Sequence, residues 1–239
     1  MCTLTWEIFS GGYELHFNRD ESRARPKADL PELNIRSGVS IIAPRDPEAG
    51  GTWISVNQAG ISLCLLNNYD AARHIKAKTS RGILVSSLSI AQDIAEVQKL
   101  FAPLDLTQYS AFDLFVFSPD QNPLQISWDG ATCSKKQTTT SFASSSGFDT
   151  QEVIAGRNEQ YLTKDSQPFA DFHRSHSPSR SAYSVCMHRP DAKTQSYSRI
   201  RVNQSQCDFW YSDGPPCEAR LNEPLSILRF DSTATQLAQ

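Results

Sequence analysis

Apolar and polar residues alternate at the start of the chain: Leu4, Trp6 and Ile8 are separated by Thr5 and Glu7. A period of two is the signature of a half-buried strand. Ser10-Gly11-Gly12 interrupts the run, and Tyr13 to Phe17 resumes it with Leu15 and Phe17 on one face and Glu14 and His16 on the other. Gly-Gly between two alternating segments predicts a hairpin. With Gly11-Gly12 as a two-residue loop, Ile8 faces Leu15, Trp6 faces Phe17, Leu4 faces Arg19 and Cys2 faces Glu21. A three-residue loop would set Ile8 against Glu14 and exchange the faces, so the apolar match favours the first register. That register puts Arg19 and Glu21 on the face of Cys2, and Asn18 and Asp20 on the opposite one.

Further along, Arg23 to Gly50 is rich in proline and charge, with an apolar run at Val39–Ala43. Thr52-Trp53-Ile54 predicts the start of a strand, and Asn57 to Gly60 a turn. Ile61 to Leu66 is nearly all apolar, as in a strand covered on both faces, and it ends in Asn67-Asn68. Ser89 to Phe101 carries a helical stripe of Ile90, Ile94, Val97 and Phe101. Strands are expected at Phe112–Phe117, Leu124–Trp128, Tyr183–Met187, Gln195–Val202 and Asp208–Tyr211. Asp149 to Asp165 predicts a helix broken at Gly156. Thr138 to Ser146 predicts an edge strand in its first half and a loop in its serines. The last twelve residues are expected to be loosely ordered. Hairpins with separate helices suggest one layered α+β domain spanning residues 1–239.

The chain has 239 residues and a formal charge of −3, which argues against a surface built to hold phosphates. No apolar run approaches the roughly 20 residues needed to span a bilayer, so no integral membrane segment is expected. No basic and apolar leader is visible, and a cytoplasmic address is expected. The six cysteines are Cys2, Cys64, Cys133, Cys186, Cys207 and Cys217, without a CxxC pair. Cys64 and Cys186 read as buried apolar residues. Cys207 and Cys217 are free to pair, although nothing requires it. His173, His176 and His188 form a loose cluster with no metal-ligand spacing, so structural histidines are expected, and neither a metal nor a cofactor.

Chemistry concentrates at the N-terminus. Removal of Met1 would leave Cys2 with a thiol and a free α-amine on one residue, the elements of N-terminal nucleophile catalysis. Their reference pKa values, roughly 8.5 and 7.7–8.0, allow proton exchange near neutrality. An arginine beside the thiol favours the thiolate. A carboxylate there can hold the ammonium.

Cys2, Asn18-Arg19-Asp20-Glu21, Gly51-Thr52-Trp53 and Leu65-Leu66-Asn67 together resemble the NRDE family, also called the transport and Golgi organization family. Tyr183–Arg189 and Gly214-Pro215-Pro216-Cys217 resemble its short bacterial-type members. The family is in turn similar to N-terminal nucleophile hydrolases of the choloylglycine hydrolase and penicillin V acylase type. That resemblance implies a four-layer αββα sandwich and cleavage of an amide in a small-molecule substrate. It implies Cys2 as nucleophile, Arg19 as the arginine on the second strand, and Asn67 as oxyanion donor, with Asn68 as the fallback. Asn18 and Trp53 would support the site. The carboxylate attending the amine is either Asp20, as the family tetrapeptide suggests, or Glu21, as the strand pattern suggests. Arg180 is the candidate for a late arginine used by the hydrolases. The alternative function is a non-catalytic binding or trafficking role, lipid or haem related, on the same scaffold. A blander alternative is that the tetrapeptide only braces the fold.

Overall fold

A computed structural model describes residues 1–71, 77–119, 121–164 and 167–230. Two antiparallel sheets face each other. The first orders its strands β10-β1-β2-β11-β12-β13 and the second β3-β4-β5-β6-β7-β8-β9. In the first sheet these are β1 (Cys2–Phe9), β2 (Gly12–Ser22), β10 (Phe142–Ser145), β11 (Ala192–Val202), β12 (Gln206–Ser212) and β13 (Leu225–Leu228). The second contains β3 (Asp29–Arg36), β4 (Val39–Arg45), β5 (Ile54–Asn57), β6 (Ser62–Asn67), β7 (Phe112–Phe117), β8 (Leu124–Trp128) and β9 (Cys133–Gln137).

Alternation fixes the layers. Leu4, Trp6, Leu15, Phe17, Ile200 and Phe209 point inward from the first sheet and meet Ile54, Val56, Cys64, Leu66, Phe115 and Phe117 of the second. The other face of the second sheet, through Leu63, Leu65, Leu114 and Val116, packs against α1 (Arg81–Leu88) and α2 (Ile94–Phe101). On the outside of the first sheet, α3 (Thr150–Leu162) packs against β10 and α4 (Phe169–Arg174) against β2. The result is the four-layer αββα sandwich. β6 is covered on both faces, which explains the apolar run from Leu63 to Leu66.

The first hairpin turns one residue earlier than its pattern suggests, which shifts the pairing by two residues. Phe9 pairs with Gly12, Ile8 with Tyr13, Leu4 with Phe17 and Cys2 with Arg19. The loop is Ser10-Gly11, with Gly11 at φ +79°. Gly12 lies inside the strand because a Cβ there would come within 1.9 Å of the Val202 carbonyl oxygen on β11. A slip of two residues leaves every side chain on its expected face. The cross-strand partner of Cys2 is therefore Arg19 rather than Glu21.

Other departures have local causes. The helix expected over 89–101 begins only at Ile94, as α2, because Asp93 caps it by accepting from Glu96 N while Glu96 accepts from Gln92 N. Gly156 does not break α3, and a Cβ there would meet nothing within 4 Å. The strand near 138–146 falls on the serines, where β10 pairs with β1, and not on the first half. Tyr183–Met187 is not a strand: side chains take over its backbone groups. Arg157 donates to Ala182 O, Asn18 to Val185 O and Ser184 Oγ to Cys186 O, while Met187 N donates to Thr194 Oγ1. Asp165, at the end of the expected helix, Asp120, between the expected strands 112–117 and 124–128, and residues 231–239 of the tail lie outside the described residues.

Candidate active site

The site is built where three connections converge. β1 brings Cys2, and β2 returns Arg19 directly opposite it. β6 ends at Asn67. The third connection is a glycine contact. A Cβ on Gly51 would lie 2.2 Å from the Gly82 carbonyl carbon, and Thr52 N donates to Gly82 O at 3.1 Å. Only glycine permits that approach, and it draws the first turn of α1 over the end of the sandwich. Ser80 caps this turn by accepting from Gly82 N, and Arg81 follows it into the site.

The cavity so formed is about 110 Å³, and Cys2, Arg19, Glu21, Trp53, Asn67 and Arg81 are among its lining residues. Arg19 stacks on the Trp53 ring, with Cζ 4.2 Å from the centroid. Its Nη2 lies 3.6 Å from Glu21 Oε2 and 3.5 Å from Asp46 Oδ2. Arg25 grips the same Asp46 oxygen at 2.7 Å from Nη2 and 3.0 Å from Nε. Asn67 Nδ2 donates to Tyr69 Oη at 2.9 Å, leaving the second amide hydrogen for another acceptor. Asn68 lies one step beyond, its backbone N–H donating to Ala111 O. Burial pushes the Cys2 thiol above its ordinary value, and the terminal ammonium of Met1 and Arg19 pull it back down. Burial lowers the Arg81 guanidinium.

Met1 is also a lining residue. Its ammonium donates to Asp20 O at 3.1 Å and its carbonyl accepts from Asp20 N at 2.9 Å, so it adds one rung to the β1–β2 ladder.

The tetrapeptide divides between two faces. Arg19 and Glu21 reach the cavity. Asp20 points to the opposite face of the sheet and is buried there, accepting from Arg157 Nη1 at 3.1 Å and from Thr194 Oγ1 at 2.6 Å. A bulge in β11 between Thr194 and Ser196, opposite Asp20 and Arg19, gives Thr194 its place beside Asp20. Asn18 Nδ2 donates to His173 O and Val185 O, joining β2 to α4 and to the 182–187 segment. Both side chains of the Arg157–Asp20 pair are 0 % exposed.

Arg81, Asp46, Arg25 and Arg157 were not singled out from the sequence. Asp46 and Arg25 sit in a charged, proline-rich stretch without periodicity. For Arg81, the Gly51–Gly82 contact is the feature that brings it in, and neither glycine alone carries a signal. Arg180, the late arginine candidate, is not a lining residue of this cavity. Cys207 is buried on β12 with its thiol toward Asn57 O, whereas Cys217 lies 3.4 Å from Cys186 Sγ, so Cys207 and Cys217 are not neighbours. All six cysteines are free thiols.

The sequence model of the family described as Transport and Golgi organisation 2 matches residues 1–183. No curated protein sequence matches the chain. Among solved structures, a mutant of the conjugated bile acid hydrolase from Clostridium perfringens aligns with a TM-score of 0.58 at 9 % identity, covering 97 % of each chain. An N-acylethanolamine-hydrolyzing acid amidase ortholog from Caenorhabditis elegans aligns at 0.56 and 12 % identity, over 84 % of this chain and 92 % of its own. Penicillin V acylase from Agrobacterium tumefaciens aligns at 0.53 and 10 % identity, over 96 % and 99 %. At these identities the likeness concerns the fold, which is that of N-terminal nucleophile hydrolases. No helix among the described residues is long and apolar enough to cross a membrane.

Proposed function

Since the chain belongs to the Transport and Golgi organisation 2 family and has the fold of N-terminal nucleophile amidohydrolases, we propose that it is an N-terminal cysteine amidohydrolase for a small non-peptide amide or related acyl substrate. The observation that carries this reading is the pairing of Cys2 with Arg19 at a cavity that Asn67 also lines. Fold alone would not suffice, since function resides in the site.

The active form requires loss of Met1. The Cys2 amine then takes the thiol proton, and the thiolate attacks the acyl carbon. The charge that develops on the carbonyl oxygen is accepted by the Asn67 amide, a type of contact worth roughly 2.7–4 kcal/mol in comparable sites. Collapse breaks the C–N bond, and the ammonium returns its proton to the leaving amine. Water, deprotonated by the same amine, then opens the thioester and restores the thiol. Arg19 lies beside the sulfur and favours its anionic form. Glu21 and Asp46 hold Arg19 in place and balance its charge. Of the two tetrapeptide carboxylates that line the cavity, we assign Glu21 to the amine, because the Asp20 side chain is engaged by Arg157 and Thr194 on the other face of the sheet.

A cavity of about 110 Å³ admits the scissile group and little more, well under the roughly 300–1,000 Å³ of sites that enclose a drug-sized ligand. The body of the substrate would lie outside the mouth. The cavity is correspondingly too small to enclose haem.

The test starts from intact mass to establish loss of Met1. In Met1-free protein an iodoacetamide probe is expected to label Cys2 ahead of the other cysteines. A panel of N-acyl amides should yield free amine with wild type and none with Cys2→Ala. Slow labelling of Cys2 in verified Met1-free protein would sink the reading.

A further inference from the structure

Four potential metal ligands converge away from the Cys2 cavity. His176, Cys186, His188 and Cys217 each direct one ligand atom to a common point, and all four atoms lie within 4.8 Å of one another. Cys186 Sγ is 3.4 Å from Cys217 Sγ and 3.6 Å from His188 Nε2. His188 Nε2 is 3.3 Å from Cys217 Sγ and 3.3 Å from His176 Nε2. A tetrahedral zinc site has Zn–S near 2.3 Å and Zn–N near 2.0–2.1 Å, which gives edges of about 3.8 Å for S···S, about 3.6 Å for S···N and about 3.3 Å for N···N. Four of the six separations match those edges to within about 0.4 Å, and the two from His176 to the sulfurs lie within 4.8 Å. We propose that His176, Cys186, His188 and Cys217 bind a single zinc ion as a closed, structural site.

The surroundings fit that role. The ligands come from two stretches with little regular structure, residues 175–191 and the turn at 214–219. Each is held by its own backbone bonds, Cys186 N donating to Ser175 O, and Glu218 N and Ala219 N to Pro215 O, and the Arg174 side chain adds a bond from Nε to Pro216 O. The ligand atoms are thus arranged by the chain before any ion arrives. Cys186 is buried and the other three are half-buried, so the point of convergence lies just under the surface. A disulfide between Cys186 and Cys217 would need sulfurs near 2.05 Å apart and would not account for two imidazole nitrogens aimed at the same point. Two thiolates with two imidazoles suit zinc and are poor partners for magnesium or calcium, which take oxygen ligands. With four protein ligands no position is left for substrate, which marks a structural site. On binding, the two thiols release their protons and the pair of thiolates balances the dication.

The ion would fasten the 175–191 segment to the 214–219 turn. One residue past Cys186, Met187 N donates to Thr194 Oγ1, which in turn donates to Asp20. The site therefore anchors the segment that closes the outer side of the Asn18–Glu21 strand. The irregular spacing of the four residues in sequence hides the set until the chain is folded.

The full chain, produced with zinc supplied and purified under reducing conditions, is expected to hold about one zinc per molecule. After chelation and exchange with cobalt it should show thiolate-to-cobalt charge transfer and the visible bands of a tetrahedral ion. Both signals should vanish in Cys186→Ser and Cys217→Ser and persist in Cys2→Ser. If the first two variants do not fold, cobalt titration of chelator-treated wild type decides the question. Absence of charge transfer there, a cobalt signal that depends on Cys2, or a Cys186–Cys217 disulfide in freshly reduced, zinc-supplied protein would each overturn the proposal.

Discussion

At the scale of single residues, the tetrapeptide Asn18-Arg19-Asp20-Glu21 is two pairs with different tasks. Strand alternation sends Arg19 and Glu21 to the cavity, and Asn18 and Asp20 to the helical layer. The faces were legible in the sequence, because leucine, tryptophan and phenylalanine alternate with polar residues on both strands; the register was not, because two pairings two residues apart both match apolar with apolar. Nor was the partner that makes Asp20 structural. Arg157 lies on α3, far along the chain, in a helix whose apolar stripe is weak. A buried charge pair is costly to break from one side, at about 3–5 kcal/mol, because the remaining charge stays buried alone. Asp20→Asn and Arg157→Met are each expected to lose stability of that order in denaturant titrations. The double variant should lose distinctly less than the sum. Additive losses would mean that the two side chains do not depend on each other. Arg19→Ala separates the tasks: it should slow probe labelling of Cys2 in Met1-free protein.

At the scale of elements, the position of α1 depends on a contact between two backbones. Gly51→Ala inserts a methyl group against the carbonyl carbon of Gly82. Such overpacking costs about 1–3 kcal/mol, and it should also move Arg81 and change the reactivity of Cys2. Unchanged melting temperature and labelling would show that the helix end yields without consequence. Gly156→Ala is the counterpart. It sits in α3 with open space around its Cα, so alanine should stabilise the helix by about 0.5–1 kcal/mol. Thermal melts of the two variants should therefore shift in opposite directions. These glycines also show what sequence patterns convey poorly. Gly156 suggests a helix break by propensity, yet the flanking turns override it. Gly51 and Gly82 have meaning only as a pair. The 183–187 segment reads as a strand by periodicity, because residues 184–187 are buried, but it pairs with no strand ladder, and the side chains of Asn18 and Thr194 take bonds at Val185 O and Met187 N.

For the molecule as a whole, the layers follow from the apolar pattern, and the interface between the first sheet and its helices does not. It is polar, with Thr5 Oγ1 bonded to His173 Nε2 at 2.9 Å and His16 Nδ1 to Tyr197 Oη at 2.6 Å. Burial holds His173 well below its ordinary value of 6.5. The unfolded chain therefore takes up a proton there as pH falls through 6.5, and the folded chain does not. The stability tied to His173 is present above that pH and is lost below it, at up to about 1.4 kcal/mol per pH unit. Melting temperature is expected to hold near neutrality and fall from pH 6.5 toward pH 5, with a shallower fall in His173→Gln. An equal slope in that variant would assign the loss to other groups. One feature of the first strand has a practical side. Met1 is bonded to Asp20 on one side and borders the cavity on the other. Any purification tag or fusion partner joined ahead of it begins inside the mouth and keeps the Cys2 nitrogen in an amide. Preparations carried on an N-terminal handle would therefore be blocked by their own leader, and a handle at the other end of the chain is the arrangement that lets the first residue be seen at work.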